Sequence, residues 1–295
     1  MRMEECLKQA LEVCPPKLAS AVERECRKPG VCVEELRLRV GAPAGIFSGG
    51  REWALTDEGR LLYADSELVC ELISRATERS LYAVQDNIRE GFCTLRGGHR
   101  LGVCGSVVRR GGEILSIREF SSVNLRIARQ RKGAADALSR EIWQSPGSTL
   151  IVGAPGSGKT TVLRDLIRQL SDRYRYRVSV IDERGELAAC VDGVPQFEIG
   201  ACTDVLSDCP KEEGIEMLLR SMRPDWIALD ELSSRRDVEA ICKASYCGVH
   251  FIATAHAWNR EELQKRPVYR ALFEADVFRS LAFLDSNRQV HCERI

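Results

Sequence analysis

The run Gly153-Ala154-Pro155-Gly156-Ser157-Gly158-Lys159-Thr160-Thr161 carries the spacing G-x-x-x-x-G-K-T behind an apolar stretch, Leu150 to Val152, and ahead of an amphipathic one. A strand before and a helix after are the context in which such a loop cradles phosphates. The glycines would let backbone N–H groups close around a β-phosphate at the helix N-terminus. Lys159 would bring a point charge to the β and γ oxygens, and the Thr160 hydroxyl would ligate Mg²⁺. The expected ligands are therefore ATP and Mg²⁺. An ordinary glycine turn is the bland alternative, and the full pattern arises by chance in roughly one chain of this length in a hundred.

Roughly seventy residues on, the apolar run Trp226 to Leu229 ends in Asp230 and Glu231. That separation suits a strand lying beside the P-loop strand. Asp230 would hold the Mg²⁺ through water, and Glu231 would accept a proton from the attacking water on the other side of the γ-phosphate. Read alone, the pair could equally cap a helix; the upstream loop favours the chemical reading. Two further apolar runs end in polar groups: Val178 to Ile181 in Asp182-Glu183-Arg184-Gly185-Glu186, and Val249 to Thr254 in Ala255-His256. Ligands of open α/β sheets lie beyond the carboxyl ends of the strands. His256 and Glu183 or Glu186 are accordingly expected to converge on the γ-phosphate, although a lone histidine is more commonly a satisfied core or surface group. Arg220 and Arg223 precede the Asp230 run. An arginine at a subunit edge can neutralise charge on a neighbour's γ-phosphate; a solvated helix face explains the pair equally well.

These groups need elements to hold them, and the chain has room for two domains, at 295 residues against about 150 per domain. Its 44% apolar and 29% charged content is globular, and no apolar run is long enough to span a bilayer. Positive and negative side chains number 43 each, so no global field draws the chain to nucleic acid or an anionic surface. Charge in the first residues argues against an export signal, and a cytoplasmic location is expected. The thirteen cysteines include no Cys-x-x-Cys pair and are expected to be reduced and mostly buried. With four histidines and no ligand spacing among them, no structural zinc site is expected.

The periodicity predicts an N-terminal α+β domain over residues 1–130. Helix fills the chain to about residue 27 with a break at Pro15-Pro16. A strand spans Val31 to Val40, with Val33, Leu36, Leu38 and Val40 inward. A helix capped by Ser66 runs to Arg79, and a second covers Leu81 to Arg89. Four short strands follow, Phe92 to Leu95, Arg100 to Val108, Glu113 to Ile117 and Val123 to Ile127. Residues 131–147 read as a linker. From 148 to 295 strands and helices alternate, which means an α/β domain with a mostly parallel sheet covered on both faces.

The order of the pieces resembles the type II/type IV secretion ATPases: P-loop, acidic box, Leu219-Arg220 to Arg223-Pro224-Asp225, apolar strand with acids, and the segment from Gly248-Val249-His250 to His256. Within that superfamily the chain is most similar to the sporulation stage III AA branch. The residues that carry this are Asp182-Glu183-Arg184, Gly200 to Thr203-Asp204, Cys209-Pro210-Lys211 and Arg220 to Asp225 in the second domain. In the first they are Glu34 to Arg39, Ser80-Leu81-Tyr82, Gly91 to Arg100 and Asn124 to Ile127. The resemblance implies a RecA-like fold and a homo-oligomeric, hexameric ring. It also implies an arginine approaching the nucleotide from the first domain, Arg100 or Arg126, and a place on the mother-cell side of the forespore energising membrane-embedded channel proteins. Two departures from general secretion ATPases favour the sporulation branch, Asp230 where glycine is usual and the missing tetracysteine. A nucleic-acid motor is the competing reading, from Arg129-Gln130-Arg131-Lys132 and Arg173-Tyr174-Arg175-Tyr176-Arg177. Zero net charge opposes it, and no stable nucleic-acid partner is expected. A nucleotide-controlled scaffold with little turnover is the third; Lys159, Asp230 and Glu231 together oppose it.

Overall fold

The computed structural model describes residues 4–77, 91–285 and 287–295. The chain divides into two compact units, Met1–Arg129 and Gln130–Ile295.

The first unit opens with α1 (Glu5–Glu12) and α2 (Pro16–Cys26). Pro16 stands at the first turn of α2, where a missing N–H loses no bond. Strands β1 (Glu35–Arg39), β2 (Gly45–Ser48) and β3 (Arg51–Ala54) follow, then the small pair β4 (Thr56–Asp57) and β5 (Arg60–Leu61), and α3 (Ser66–Ala76). After them come β6 (Phe92–Thr94), a turn of 3₁₀ helix at Arg96–Gly98, β7 (Arg100–Arg110) and β8 (Glu113–Arg126). The larger sheet is antiparallel in the order β3-β2-β1-β8-β7-β6. Its inner face packs Leu36, Leu38, Leu101 and Leu125 against Leu72 and Ile73 of α3 and Leu18 of α2.

Several expectations need correction. Val40 lies just beyond β1 and is 44% exposed: its N–H still donates to the Ser121 carbonyl on β8, but the chain turns away at Gly41, at φ 81°. The cap of α3 is Asp65, whose carboxylate accepts the Leu68 N–H, and Ser66 is already helical. The last two expected strands are one, β8, pairing along β7 in a long hairpin. A bulge in β8 interrupts the pairing, Glu119, Phe120 and Ser121 lying opposite the single residue Gly105 of β7, where a Cβ would lie 2.6 Å from the Arg118 carbonyl oxygen. The helix expected over Leu81 to Arg89 lies outside the described residues.

The second unit begins with α4 (Asp136–Gln144), inside the stretch expected as a linker. Leu138 and Ile142 bury their side chains in this unit's core, so the stretch is part of the domain. Next come β9 (Thr149–Gly153), α5 (Lys159–Asp172), β10 (Val178–Asp182), β11 (Thr203–Ser207), α6 (Lys211–Ser221), β12 (Trp226–Leu229) and α7 (Arg235–Ser245). β13 (His250–His256), α8 (Arg260–Lys265), α9 (Pro267–Glu274), β14 (Ser280–Leu284) and β15 (Val290–Arg294) complete it. The sheet order is β11-β10-β12-β13-β9-β14-β15, parallel except for the last pair. β9, β10 and β12 are buried along their whole lengths, as strands covered on both faces must be. Leu163, Leu166 and Ile167 of α5 cover one face, and Ile215, Val238 and Ile241 of α6 and α7 the other.

The Asp230 strand is not beside the P-loop strand: β13 lies between them. The thirteen cysteines are free, as expected, but only Cys14 and Cys93 are buried; Cys32, Cys70, Cys104 and Cys247 are exposed.

Candidate phosphate-binding site

β9 delivers Gly153 to the carboxyl edge of the sheet, where a Cβ would meet Ser157 Oγ at 2.6 Å. The loop therefore folds tightly over its own start. Gly158, at φ 103°, turns the chain into α5 in a conformation closed to other residues. Lys159 is 6% exposed. Its ammonium donates to the carbonyls of Gly153 (3.0 Å) and Ala154 (2.9 Å) and to His256 Nδ1 at 2.8 Å. An ammonium has no lone pair, so Nδ1 is the acceptor and the neutral imidazole carries its proton on Nε2. Nε2 faces Glu231 Oε2 at 3.3 Å. Lys159, His256 and Glu231 thus form one chain of contacts across the ends of β9, β13 and β12. Burial lowers the Lys159 pKa, and the negative charges of Glu231 and Asp230 oppose that shift.

Asp230 is held from several sides. Oδ2 accepts from the Thr160 hydroxyl at 3.3 Å, and Oδ1 accepts from the Thr254 hydroxyl at 2.8 Å and the Glu231 N–H at 3.0 Å. The facing oxygens of Thr160 and Asp230 are hard donors of the kind Mg²⁺ takes. Thr254 was missed in the sequence, where it reads as one more β-branched strand residue.

The acidic box behaves differently from expectation. Asp182, 1% exposed, accepts the N–H groups of Glu186, Leu187, Ala188 and Ala189, and so folds the loop over itself. Glu183 pairs with Lys211 at the start of α6 and does not join the chain of contacts. Glu186 contributes its carbonyl to Arg164, which also donates to the Leu187 carbonyl and lies 3.7 Å over the Phe197 ring. Burial holds the Arg164 guanidinium down at about 10, although Asp182 and Asp230 pull it back. The residue of this box that reaches Glu231 is Arg184, with Nη1 3.9 Å from Glu231 Oε2.

Arg220 sits at the last turn of α6, paired with Glu216, its side chain 81% exposed. Arg223 follows in a left-handed turn at φ 49°. Both stand where the chain enters β12, at the edge of the sheet opposite Asp230, so neither meets the phosphate loop of its own chain. In the first unit Arg100 and Arg126 are register partners on β7 and β8; Arg100 lies 3.4 Å over the Phe92 ring and Arg126 is 3.6 Å from Glu35.

Two cavities flank the loop. One of about 560 Å³ is lined by Ala154, Pro155, Gly156, Trp258 and Arg288. Another of about 220 Å³ is lined by Arg131, Lys132, Gly158, Thr161 and Arg288. The basic run that suggested nucleic acid therefore places two of its cations beside the P-loop helix. Ser157 Oγ, which borders both cavities, is buried without a hydrogen-bond partner. An orphaned hydroxyl among cations, beside a loop of backbone N–H groups, fits a phosphate ligand.

The loop, the acids at the end of β12 and the sheet order define a P-loop protein with the RecA-like fold of the secretion ATPases. The profile of the family described as "Sporulation stage III, protein AA" matches residues 8–292. The chain belongs to that family. Stage III sporulation protein AA of Bacillus subtilis (strain 168) is 35% identical over 277 residues, covering 92% of this chain and 89% of that protein. Several solved structures share the fold. The pilus retraction motor PilT with bound ADP has a TM-score of 0.60 at 18% identity, covering 90% of this chain and 75% of that one. The ATPase DotB of Legionella pneumophila has a TM-score of 0.56 at 16% identity, over 89% and 75%. The resemblance seen in the sequence is borne out.

Proposed function

We propose that the chain hydrolyses ATP as a homo-oligomeric ring of the secretion-ATPase type, hexameric in its active form. Its work is to energise a membrane-embedded channel between mother cell and forespore, from the cytoplasm of the mother cell. The observation that carries this reading is the meeting of Lys159, Thr160, Asp230, Glu231 and His256 at one edge of the sheet. The PilT and DotB likeness supports the motor class, and the family's name supports the sporulation setting. Among the described residues no helix is long and apolar enough to cross a membrane, in keeping with peripheral docking on other proteins.

The loop from Gly153 to Thr161 would bind the phosphates. Lys159 would leave its carbonyl partners for the β and γ oxygens, and exchanging dipoles for full charges favours that move. Thr160 and Asp230 would hold Mg²⁺, which when bound neutralises charge on the phosphate oxygens. Glu231 would take the proton of the attacking water, with His256 Nε2–H orienting its carboxylate. Glu183 and Glu186 would act through the loop that holds Arg184 against Glu231. Arg220 and Arg223, exposed at the far edge, and Arg100 or Arg126 of the first unit would complete a neighbour's site.

Steady-state ATPase assays of Lys159→Ala and Glu231→Gln test the reading. Both variants are expected to lose turnover, and unchanged turnover in both would sink it. Sizing of Glu231→Gln with ATP is expected to show the ring.

A further inference from the structure

The loop that follows β10 is clamped from three directions. The Asp182 carboxylate takes the N–H groups of Glu186, Leu187, Ala188 and Ala189. Arg164, on the helix that opens at the phosphate loop, donates to the carbonyls of Glu186 and Leu187. Lys211, 5% exposed at the start of α6, pairs with Glu183. Ala189 is held at φ 51°, a left-handed conformation that a side chain disfavours and that only the surrounding bonds maintain. Arg184 stands among these clamps, and none of them holds its side chain. That side chain is 63% exposed, and among the described residues its ionic contact is Nη1 to Glu231 Oε2 at 3.9 Å. The backbone is fixed while the cation it carries is free to swing.

The contact with Glu231 is loose, since the carboxylate side chain is itself 37% exposed and water screens the pair. Its direction says more than its strength. In the sheet order β10-β12-β13-β9 the guanidinium crosses the end of β12. It meets there an oxygen that also lies 3.3 Å from His256 Nε2 of β13. His256 in turn touches Lys159 past the end of β9. Arg184 therefore points toward the place where Lys159 would meet a γ-phosphate, less than two strand spacings of about 4.8 Å beyond Glu231.

Charge favours completing that movement. A γ-phosphate spreads its charge over three oxygens, and a guanidinium takes phosphate through two parallel N–H···O bonds. While Arg184 and His256 both face Oε2, that oxygen is occupied; once Arg184 leaves, it can accept a proton from water.

We propose, on the reading of the chain as an ATP hydrolase, that Arg184 is a catalytic arginine acting in cis, which leaves Glu231 for the γ-phosphate when ATP binds. The oxygen of water bonds to the γ-phosphorus as the bond to the bridging oxygen breaks, and the electron pair of that bond stays on ADP. Glu231 takes the proton of the water, and Arg184 balances the negative charge on the phosphate oxygens in transit. One movement thus stabilises the transferring group and frees the base, and it happens only when a γ-phosphate is present.

The test compares the full chain with its Arg184→Ala and Arg184→Lys variants, in steady-state turnover and in equilibrium binding of ADP and of the non-hydrolysable β,γ-imido analogue of ATP. Arg184→Ala is expected to lower kcat at least about tenfold. It should weaken the imido analogue at least about fivefold while leaving ADP within about twofold, because only the analogue carries a γ-phosphate. Arg184→Lys keeps the charge without the fork and should recover part of the affinity and little of the turnover. A residue that merely steadied Glu231 would lower kcat and leave the ratio of the two affinities as in the wild type. That outcome would overturn the proposal, and so would an unchanged kcat. A wild-type chain that binds ATP without hydrolysing it would defeat the hydrolase reading, while the affinity ratio would still decide whether Arg184 holds the γ-phosphate.

Discussion

The two units store their polar groups according to how their strands run. In the second, β9, β12, β13 and β10 all point the same way, so each hands its last residues to one edge, and Lys159, Glu231, His256 and Asp182 gather there. In the first, neighbouring strands of the large sheet run oppositely, and their ends alternate between edges. No edge collects a set, and the unused donor of His99 instead faces a cavity between α1, α3 and a turn. A parallel sheet makes a site by topology, while an antiparallel one must make it by packing between elements.

The largest effects should therefore come from the strand-end groups. Lys159→Ala and Glu231→Gln are each expected to lower turnover at least about a hundredfold, the size typical of losing a catalytic base or a phosphate cation. His256→Ala, which cuts the link between them, should cost less than either. Circular dichroism should show all three folded. If turnover survives in the first two, the edge is merely a capped strand terminus and the contrast between the units fails.

The same contrast explains what could be read in advance. The P-loop, the Asp230 pair and His256 were visible because an apolar run followed by polar residues signals a strand end wherever the sheet is parallel. The position of β13 between β9 and β12 was not visible, since run lengths fix strands but not their lateral order. Thr254 and Arg184 escaped for a related reason: their roles depend on Asp230 and Glu231 arriving from another strand. In the first unit the hairpin of β7 and β8 hid its continuity behind polar residues on a face that is not covered, and its pairing runs on through two shifts of register, one of them opposite Gly105.

Stability effects should rank next. Phe251 is fully buried in β13 among Ile227 and Leu150. Phe251→Ala is expected to cost about 3–5 kcal/mol by cavity formation, seen as a lower denaturant midpoint in the transition that reports the second unit. Turnover measured well below that midpoint should fall less than in Lys159→Ala, which separates packing from chemistry at the same sheet.

His99 gives the corresponding experiment on the first unit. Burial, aided by the charge of Arg129, lowers its pKa from 6.5 to about 4. The unfolded chain therefore takes up the proton first as the pH falls. The stabilising contribution is complete above about pH 6.5 and is lost progressively down to about pH 4, by about 3 kcal/mol in all. Denaturant unfolding at pH 7 and at about pH 5 should show that loss, and His99→Asn, which can keep an acceptor for the Ala128 N–H, should flatten the pH dependence.

The smallest effects come from helix caps, and each unit offers one. Asp65 caps α3 through the Leu68 N–H at 2.8 Å. Ser234 caps α7 in a reciprocal box, accepting the Asp237 N–H at 3.1 Å while Asp237 accepts the Ser234 N–H at 3.0 Å. Replacing either by alanine should cost about 1 kcal/mol, since one helix-end donor loses its partner. The Ser234 loss should exceed the Asp65 loss by a few tenths of a kcal/mol, because Asp237 is 5% exposed and its carboxylate keeps fewer routes to water once the box is broken. α7 starts a few residues after Glu231, so Ser234→Ala should also lower turnover slightly by loosening the end of β12, whereas Asp65→Ala should leave it unchanged. Equal effects on turnover would mean that catalysis reads the stability of the whole chain and not the geometry of one sheet edge.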